Sequence, residues 1–192
     1  MRQSSAQIRR RARRIKLLLL DVDGVLTDGR IYYVPDPDTS RTQPRSFLET
    51  KTFHSRDGLG IRMARAAGLQ VGLLSGRASP VVRHRARELG IDYIREGARE
   101  KVAPYLEILS EARLTDAQTC YVGDDLVDLP VLRRCGLAVG VGNGHPLLRR
   151  HVHYCTQAPG GDGAVRETIE VILKAQGRLD FLALLATESE GQ

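Results

Sequence analysis

Apolar positions in this chain recur in two rhythms. Short unbroken runs alternate with longer stretches in which apolar residues return every three or four positions. Leu17 to Leu20, with Ile15 ahead of them, form the first run; Leu69 to Leu74, Ile91 to Ile94, Thr119 to Val122 and Leu137 to Val141 form four more. Runs of this length, bounded by glycines and acids, have the form of parallel strands buried on both faces. Between them lie helical patterns. One starts at Asp57, repeats Ile61, Ala64 and Ala67, and stops at Gly68. Others run from Pro80 to Leu89 and from Arg99 to Arg113, where Pro104 is near enough to the start to be tolerated. Gly163 to Gln176 reads as a last helix covering the sheet. Strands alternating with helices in this way predict an α/β fold with a doubly wound parallel sheet.

The alternation is interrupted once. Arg30 to Val34 and Phe47 to Phe53 have strand propensity, and Pro35 to Pro44 between them is a run of proline, aspartate and other polar residues that cannot pack a core. A short β-hairpin flap over 29–53, with a mobile tip, is expected. About 35 residues separate the first strand from the next helix, which accommodates a flap but no cap domain. One domain over 15–180 is expected, with a basic extension at 1–14 expected to be flexible and a tail at 181–192. A chain of 192 residues suits a single core.

The first run ends in Asp21-Val22-Asp23-Gly24-Val25-Leu26-Thr27-Asp28-Gly29. The carboxyl edge of an open parallel sheet is where ligands bind. Asp21 and Asp23 emerging together there repel each other unless a cation or a shared proton intervenes, so the pair predicts a Mg²⁺ site. Taken alone, Asp-x-Asp-Gly is also an ordinary turn. A calcium loop needs glycine sixth and glutamate twelfth; here glycine is fourth and Tyr32 twelfth. Gly140-Val141-Gly142-Asn143-Gly144 lacks the spacing of a dinucleotide loop, and no Gly-Lys-Ser/Thr phosphate loop is present.

Charge changes the picture less than its total suggests. The net charge of +6 is a property of residues 1–16, which carry +7; the remainder carries −1. The tail Arg9-Arg10-Arg11-Ala12-Arg13-Arg14 suits an anionic surface in principle, but a solvated extension or a short helix lying on the domain is the plainer expectation, and no nucleic-acid partner is expected. The apolar segment behind it is only six residues long, Lys16 included, and runs into Asp21, too short for a signal peptide, and no stretch is long enough to span a membrane. Cys120, Cys135 and Cys155 lack paired spacing, which fits a reducing cytoplasm. His151, His153 and Cys155 alternate as one face of a strand would, but packing is the simpler account because no fourth metal ligand is near.

Four segments together resemble the motifs of the haloacid dehalogenase-like phosphatases: Asp21 to Gly29; Ser75 in Leu73-Leu74-Ser75-Gly76-Arg77; Lys101; and Gly123-Asp124-Asp125-Leu126-Val127-Asp128-Leu129-Pro130. Phe53 to Ile61, His145 to Leu148 and Gly160 to Glu167 are similar to one subfamily, the 3-deoxy-D-manno-octulosonate 8-phosphate phosphatases of lipopolysaccharide synthesis. The resemblance implies a Mg²⁺-dependent phosphomonoesterase on a Rossmann-like sheet. Asp21 is then the nucleophile that forms an aspartyl-phosphate, and Asp23 the general acid and base. The metal is held by Asp21, the Asp23 backbone carbonyl and Asp124, with Asp125 and Asp128 orienting them. Ser75 and Lys101 contact phosphoryl oxygens. Asp23, Arg56, Asp57, Gly76, Arg77 and Arg166 are candidates for the sugar-acid end, Arg77 through a bidentate pair with its carboxylate. Without a cap, water exclusion falls to a neighbouring subunit, so a homotetramer is expected, with Arg166 reaching the adjacent site. His54, Asp162 and the longer flap tip depart from the subfamily pattern. A nine-carbon sugar-acid phosphatase and a non-catalytic oligomerisation module are the alternatives.

Overall fold

The computed structural model describes residues 4–36 and 47–180. Five parallel strands lie where the apolar runs predict them, and a sixth joins at the edge. They are β1 (Leu17–Leu20), β4 (Gln70–Leu74), β5 (Tyr93–Arg95), β6 (Thr119–Gly123), β7 (Leu137–Gly140) and β8 (Tyr154–Cys155), in the order β5-β4-β1-β6-β7-β8. All pair in parallel. The chain builds outward from β1 to β5, then crosses back to lay β6 against the other side of β1. This is the doubly wound arrangement, and its switch point is at β1.

The sheet is covered on both faces, which explains why β1 is apolar throughout. Leu18 and Leu20 pack with Ile61, Val71, Val122, Val165 and Ile169, beneath α2 (Ser55–Ala66) and α6 (Ala164–Gln176). Leu17 and Leu19 pack with Tyr105, Ile108, Tyr121 and Leu132, beneath α4 (Val102–Ala112) and α5 (Leu129–Leu132). Alternate residues of one strand thus enter two cores, and all four leucines are fully buried. Helix α3 (Pro80–Glu88) completes the first layer through Val82 and Ala86.

The register of the strands sets the height of the groups at their ends. Leu20 lies level with Leu73 of β4 and Val122 of β6. Asp21, Ser75 and Asp124 therefore leave three adjacent strands at nearly the same height.

One alternative is decided and two helix starts change. Of a solvated extension and a short helix lying on the domain, the helix is found: residues 5–12 form helix α1 (Ser5–Ala12), with Ser4 and Gln7 in a reciprocal capping box. Its one buried side chain is Ala12, and Gln176 Nε2 of α6 donates to Ala12 O (3.1 Å) and Ile15 O (2.8 Å). Arg11 Nη1 and Arg13 Nε donate to the carbonyls of Gly136 and Ala175, so the helix is tied at its C-terminal end. Helix α2 begins at Ser55, two residues before Asp57, because His54 acts as its N-cap and accepts from Arg56 N. Lys101 is the N-cap residue of α4 rather than part of its first turn.

The flap is a two-stranded antiparallel hairpin, β2 (Tyr32–Pro35) and β3 (Phe47–Thr50), shorter than the strand-forming sequence on either side. The expected mobile tip falls on 37–46, outside the described residues, as does the tail at 181–192. No cap domain occurs among the described residues.

His151, His153 and Cys155 do not share a strand face. Only Tyr154 and Cys155 are extended, His151 sits in a turn, and His153 Nδ1 accepts a hydrogen bond from Ala138 N (2.8 Å). Burial, helped by the charge of Arg11, pushes the His153 imidazole down to about 4. A depressed histidine stays neutral in the fold while the unfolded chain takes up a proton below about 6.5. Stability should therefore decline as pH falls from about 6.5 to 4, as protonation ends the acceptance from Ala138 N. Denaturant melts across that window should show a shallower decline for His153→Gln than for the parent chain; identical slopes would exclude His153 as the source.

Candidate active site

Four groups meet where β1 and β6 end. Asp21 is nearly buried and accepts a hydrogen bond at Oδ1 from Val22 N (2.7 Å), while the same oxygen lies 2.9 Å from Lys101 Nζ. Lys101 Nζ also lies 2.7 Å from Asp128 Oδ1. Tyr121 OH donates to that oxygen at 2.7 Å. The other oxygen of Asp128 accepts from the backbone N–H of Asp124 (2.9 Å) and Asp125 (3.2 Å). Asp128 thus has its lone pairs occupied and shapes the loop that carries Asp124. Asp125 caps the next turn by accepting from Leu126 N.

Asp124 differs. Its carboxylate accepts no hydrogen bond from any described residue, yet it stands in a cluster where one oxygen from each of Asp21, Asp124 and Asp128 lies within 4.8 Å of the others. Burial and the charges of Asp21, Asp128 and Asp125 push Asp124 up to about 7, against the pull of Lys101. Asp21 is pushed up to about 6 by burial and by Asp128, again opposed by Lys101. Three carboxylates facing one ammonium leave negative charge uncompensated, and the unpaired oxygens are hard donors. That donor set fits a small divalent cation such as Mg²⁺, with Asp21 and Asp124 as its carboxylate ligands.

Gly24 makes the approach possible. It adopts φ +86°, and a Cβ there would collide with the Asp124 carboxylate. The Asp21–Gly29 loop rests in turn on the segment before α6, where Gly161 N donates to Val25 O (2.9 Å) and Gly160 N to Asn143 Oδ1 (2.8 Å).

Asp23 points to a second, cationic group. Its carboxylate forms a short ion pair with Lys51 Nζ and lies 3.8 Å from Arg77 Nε. Glu49, from β3, accepts from Arg77 Nη2 (3.2 Å) and lies 2.9 Å from Lys51. Burial works against the Lys51 charge, but Asp23 and Glu49 outweigh it and raise the lysine above its ordinary value. Glu49 is lowered, since Lys51 and Arg77 outweigh its own burial. The crevice beside these groups has a volume of about 550 Å³ and is lined by Asp21, Asp23, Arg77, Lys101 and Asp124, with Gly76 at its edge. Ser75 is buried below it, its Oγ accepting from Arg77 N (3.2 Å).

Of the residues expected at the site, Asp21, Asp23, Ser75, Gly76, Arg77, Lys101, Asp124, Asp125 and Asp128 are gathered around this crevice. Arg56, Asp57 and Arg166 are not among its lining. Asp57 is fully buried and binds Gly163 N (3.0 Å) and Arg166 N (2.8 Å) at the start of α6, so it neither packs the flap nor lines the pocket. Arg56 pairs with Asp162 (2.6 Å), and Arg166 Nε with Glu170 (2.6 Å). Lys51, Glu49 and Tyr121 join the site without a mark in the sequence, because each reads as an ordinary strand residue. The one available signal is Lys51 itself, among only four lysines in the chain.

A parallel sheet with carboxylates at its switch point fits a haloacid dehalogenase-like hydrolase, and the family model of that description matches residues 54–136. The curated 3-deoxy-D-manno-octulosonate 8-phosphate phosphatase of Escherichia coli K12 is 40% identical over 176 residues, covering 92% of this chain and 88% of the relative. The Moraxella catarrhalis phosphatase of the same name, solved with magnesium, phosphate and KDO, is 37% identical with a TM-score of 0.83, covering 95% of this chain and 98% of that one. The cobalt-bound Haemophilus influenzae phosphatase is 38% identical with a TM-score of 0.81, covering 92% and 99%. The chain belongs to the 3-deoxy-D-manno-octulosonate 8-phosphate phosphatase family. It is accordingly a phosphoric monoester hydrolase.

The carboxylate cluster makes stability depend on pH and metal together. Because Asp21 and Asp124 have raised values in the fold, the metal-free protein should lose stability as pH rises through about 6 and 7. A divalent cation reverses that loss, and protons compete with it below those values. The rise in melting temperature on adding Mg²⁺ should therefore be larger at pH 8 than at pH 5; equal rises would count against the cluster as the metal site.

Proposed function

We propose that the chain hydrolyses 3-deoxy-D-manno-octulosonate 8-phosphate to the free sugar acid and phosphate, with Mg²⁺, in lipopolysaccharide precursor synthesis. The observation that carries this is the placing of Asp21 beside Lys101 and the unpaired Asp124 at the mouth of one crevice. Family membership supports the substrate.

The chemistry runs in two displacements. An Asp21 carboxylate oxygen attacks phosphorus and the P–O bond to the sugar breaks, leaving phosphate on Asp21. Asp23 enters this step protonated and gives its proton to the departing sugar oxygen; its ion pair with Lys51 is the deprotonated form, ready to take a proton back. Water then attacks the aspartyl-phosphate, Asp23 takes its proton, and phosphate leaves with Asp21 restored. Bound Mg²⁺ supplies positive charge against the transferring phosphoryl group, held by Asp21, Asp124 and the Asp23 carbonyl. Lys101 and the Ser75 hydroxyl hold the remaining phosphoryl oxygens, while Asp125 and Asp128 keep Asp124 in place. Lys51 and Arg77 fix the Asp23 side chain beside the crevice. Arg77, half exposed at the mouth, exchanges Glu49 for the substrate's carboxylate as the sugar enters.

Asp21→Asn should lose activity by at least about 10⁴-fold, because the amide is no nucleophile. Asp124→Ala should lose activity that returns in part at high Mg²⁺. Phosphate release from the purified variants measures both. Normal turnover by Asp21→Asn would end this mechanism, and the same assay on a panel of phosphorylated sugar acids tests the substrate.

The working enzyme in this proposal is a cytoplasmic homotetramer. Its three cysteines form no disulfide, and no helix among the described residues is long and apolar enough to cross a membrane. Ile31, Tyr33, Val34, Phe47 and Leu48 of the flap are exposed, and a lone hairpin with such a surface gains by pairing with another copy. Arg166, outside the crevice of its own chain, then serves the neighbouring site. Sedimentation should give four chains, and Arg166→Ala should raise KM; an active monomer, or an unchanged KM, would remove the shared-site proposal.

A further inference from the structure

A second cleft lies at the opposite end of the sheet from Asp21. Its volume is about 1050 Å³, and its charged lining is Arg9, Arg13, Arg14, Lys16, Lys174 and Arg178, with no acidic side chain among the described residues. Four of these come from α1 and its link to β1, and two from the end of α6. All six are exposed. Arg13 and Arg178 each donate to a backbone carbonyl, of Ala175 and Ala67. Arg9, Arg14, Lys16 and Lys174 have no carboxylate partner among the described residues.

Part of this charge has a plain structural use. The carboxyl ends of α1 and α6 point into the region, and each carries roughly half a negative charge, which favours nearby cations. Two helix ends amount to about one unit, against six cations. The excess repels itself, and an anion placed between the two groups relieves it.

We propose that this cleft binds an oligophosphate, the linear chain of phosphoryl groups found in tripolyphosphate or in the tail of a nucleotide. The cations come from two separate elements, so a ligand with several charges in line engages both where a single phosphate engages one. Guanidinium forks from Arg9, Arg13 and Arg14 suit phosphate oxygens in pairs. The volume is that of a small-ligand site. Among the described residues no aromatic side chain lines the cleft to stack a base, and its one large apolar residue, Ile15, is buried and offers no anchor to a lipid surface.

Calorimetry on the full-length, metal-free chain tests this with tripolyphosphate, ATP and inorganic phosphate at about 0.15 M salt. Tripolyphosphate and ATP should bind saturably with similar affinity, and inorganic phosphate more weakly. The double substitution Arg14→Glu with Lys174→Glu should weaken both about tenfold or more. Its Mg²⁺-dependent phosphatase activity should be unchanged, which also shows that the variant is folded. No saturable binding would overturn the proposal, as would equal binding by the double variant, which would place the ligand at the catalytic crevice. ATP binding more than about tenfold tighter than tripolyphosphate would locate recognition in the nucleoside and overturn it too. Binding by duplex DNA or anionic vesicles with none by tripolyphosphate would have the same consequence.

Discussion

One buried ammonium holds the catalytic end of this molecule together. Lys101 Nζ stands between Asp21 and Asp128, at 2.9 and 2.7 Å, with its side chain 2% exposed. Two carboxylates, one just past the end of β1 and the other in the helical turn that follows β6, would otherwise force each other apart or become protonated. Tyr121 and two backbone N–H groups take up the rest of Asp128. The compensation stops there. Asp124 is left with repulsion from three acids and no hydrogen-bond donor among the described residues, so the fold carries a standing deficit of positive charge at one point. A cation is the remedy that also leaves Asp21 ionised, as its proposed role of nucleophile requires. The same electrostatic imbalance that weakens the metal-free fold thus selects the cofactor.

Such crowding of acids is possible only because the backbone comes unusually close around them. A Cβ on Gly24 would strike Asp124, and a Cβ on Gly160 would strike the Gly24 carbonyl. The loop bearing Asp23 is therefore clamped between the loop bearing Asp124 and the segment leading to α6. Asp57 closes the clamp from below. It is a buried carboxylate, raised by burial and restrained by the N–H groups of Arg166 and Gly163, and it anchors the start of α6 at the height of the active site. This is why an acid that resembles a binding residue in sequence is placed in the interior instead.

The legibility of each residue depends on the kind of signal it carries. The strands and Asp21, Asp124 and Lys101 can be placed because apolar runs end abruptly in acids, and because their spacing matches four motifs in order. Strand β1 announces burial on both faces by having no polar position at all. Other features depend on contacts that no local pattern encodes. Lys51 lies in a polar stretch, Glu-Thr-Lys-Thr, that reads as an exposed flap strand. It becomes buried only because Asp23, 28 residues earlier, accepts it. Helix α1 is obscured by its arginines. Charge runs at chain ends are commonly solvated, but here a capping box starts the helix, and Ala12, the one small residue in the run, lets it seat against α6.

The flap joins these two levels. At its outer part, Tyr33 and Phe47 meet edge to face at 6.5 Å and remain exposed, so the hairpin has no core of its own beneath it. At its inner end, Glu49 and Lys51 are tied to Asp23 and Arg77 through ion pairs. A two-stranded hairpin is marginal in water, and these charges are its firm attachment to the domain. The attachment runs through Asp23, the proposed general acid and base. Whatever orders the exposed half of the hairpin therefore also orders the cations around Asp23. One hairpin thus carries both an exposed apolar surface and the ion pairs that hold Asp23 in place.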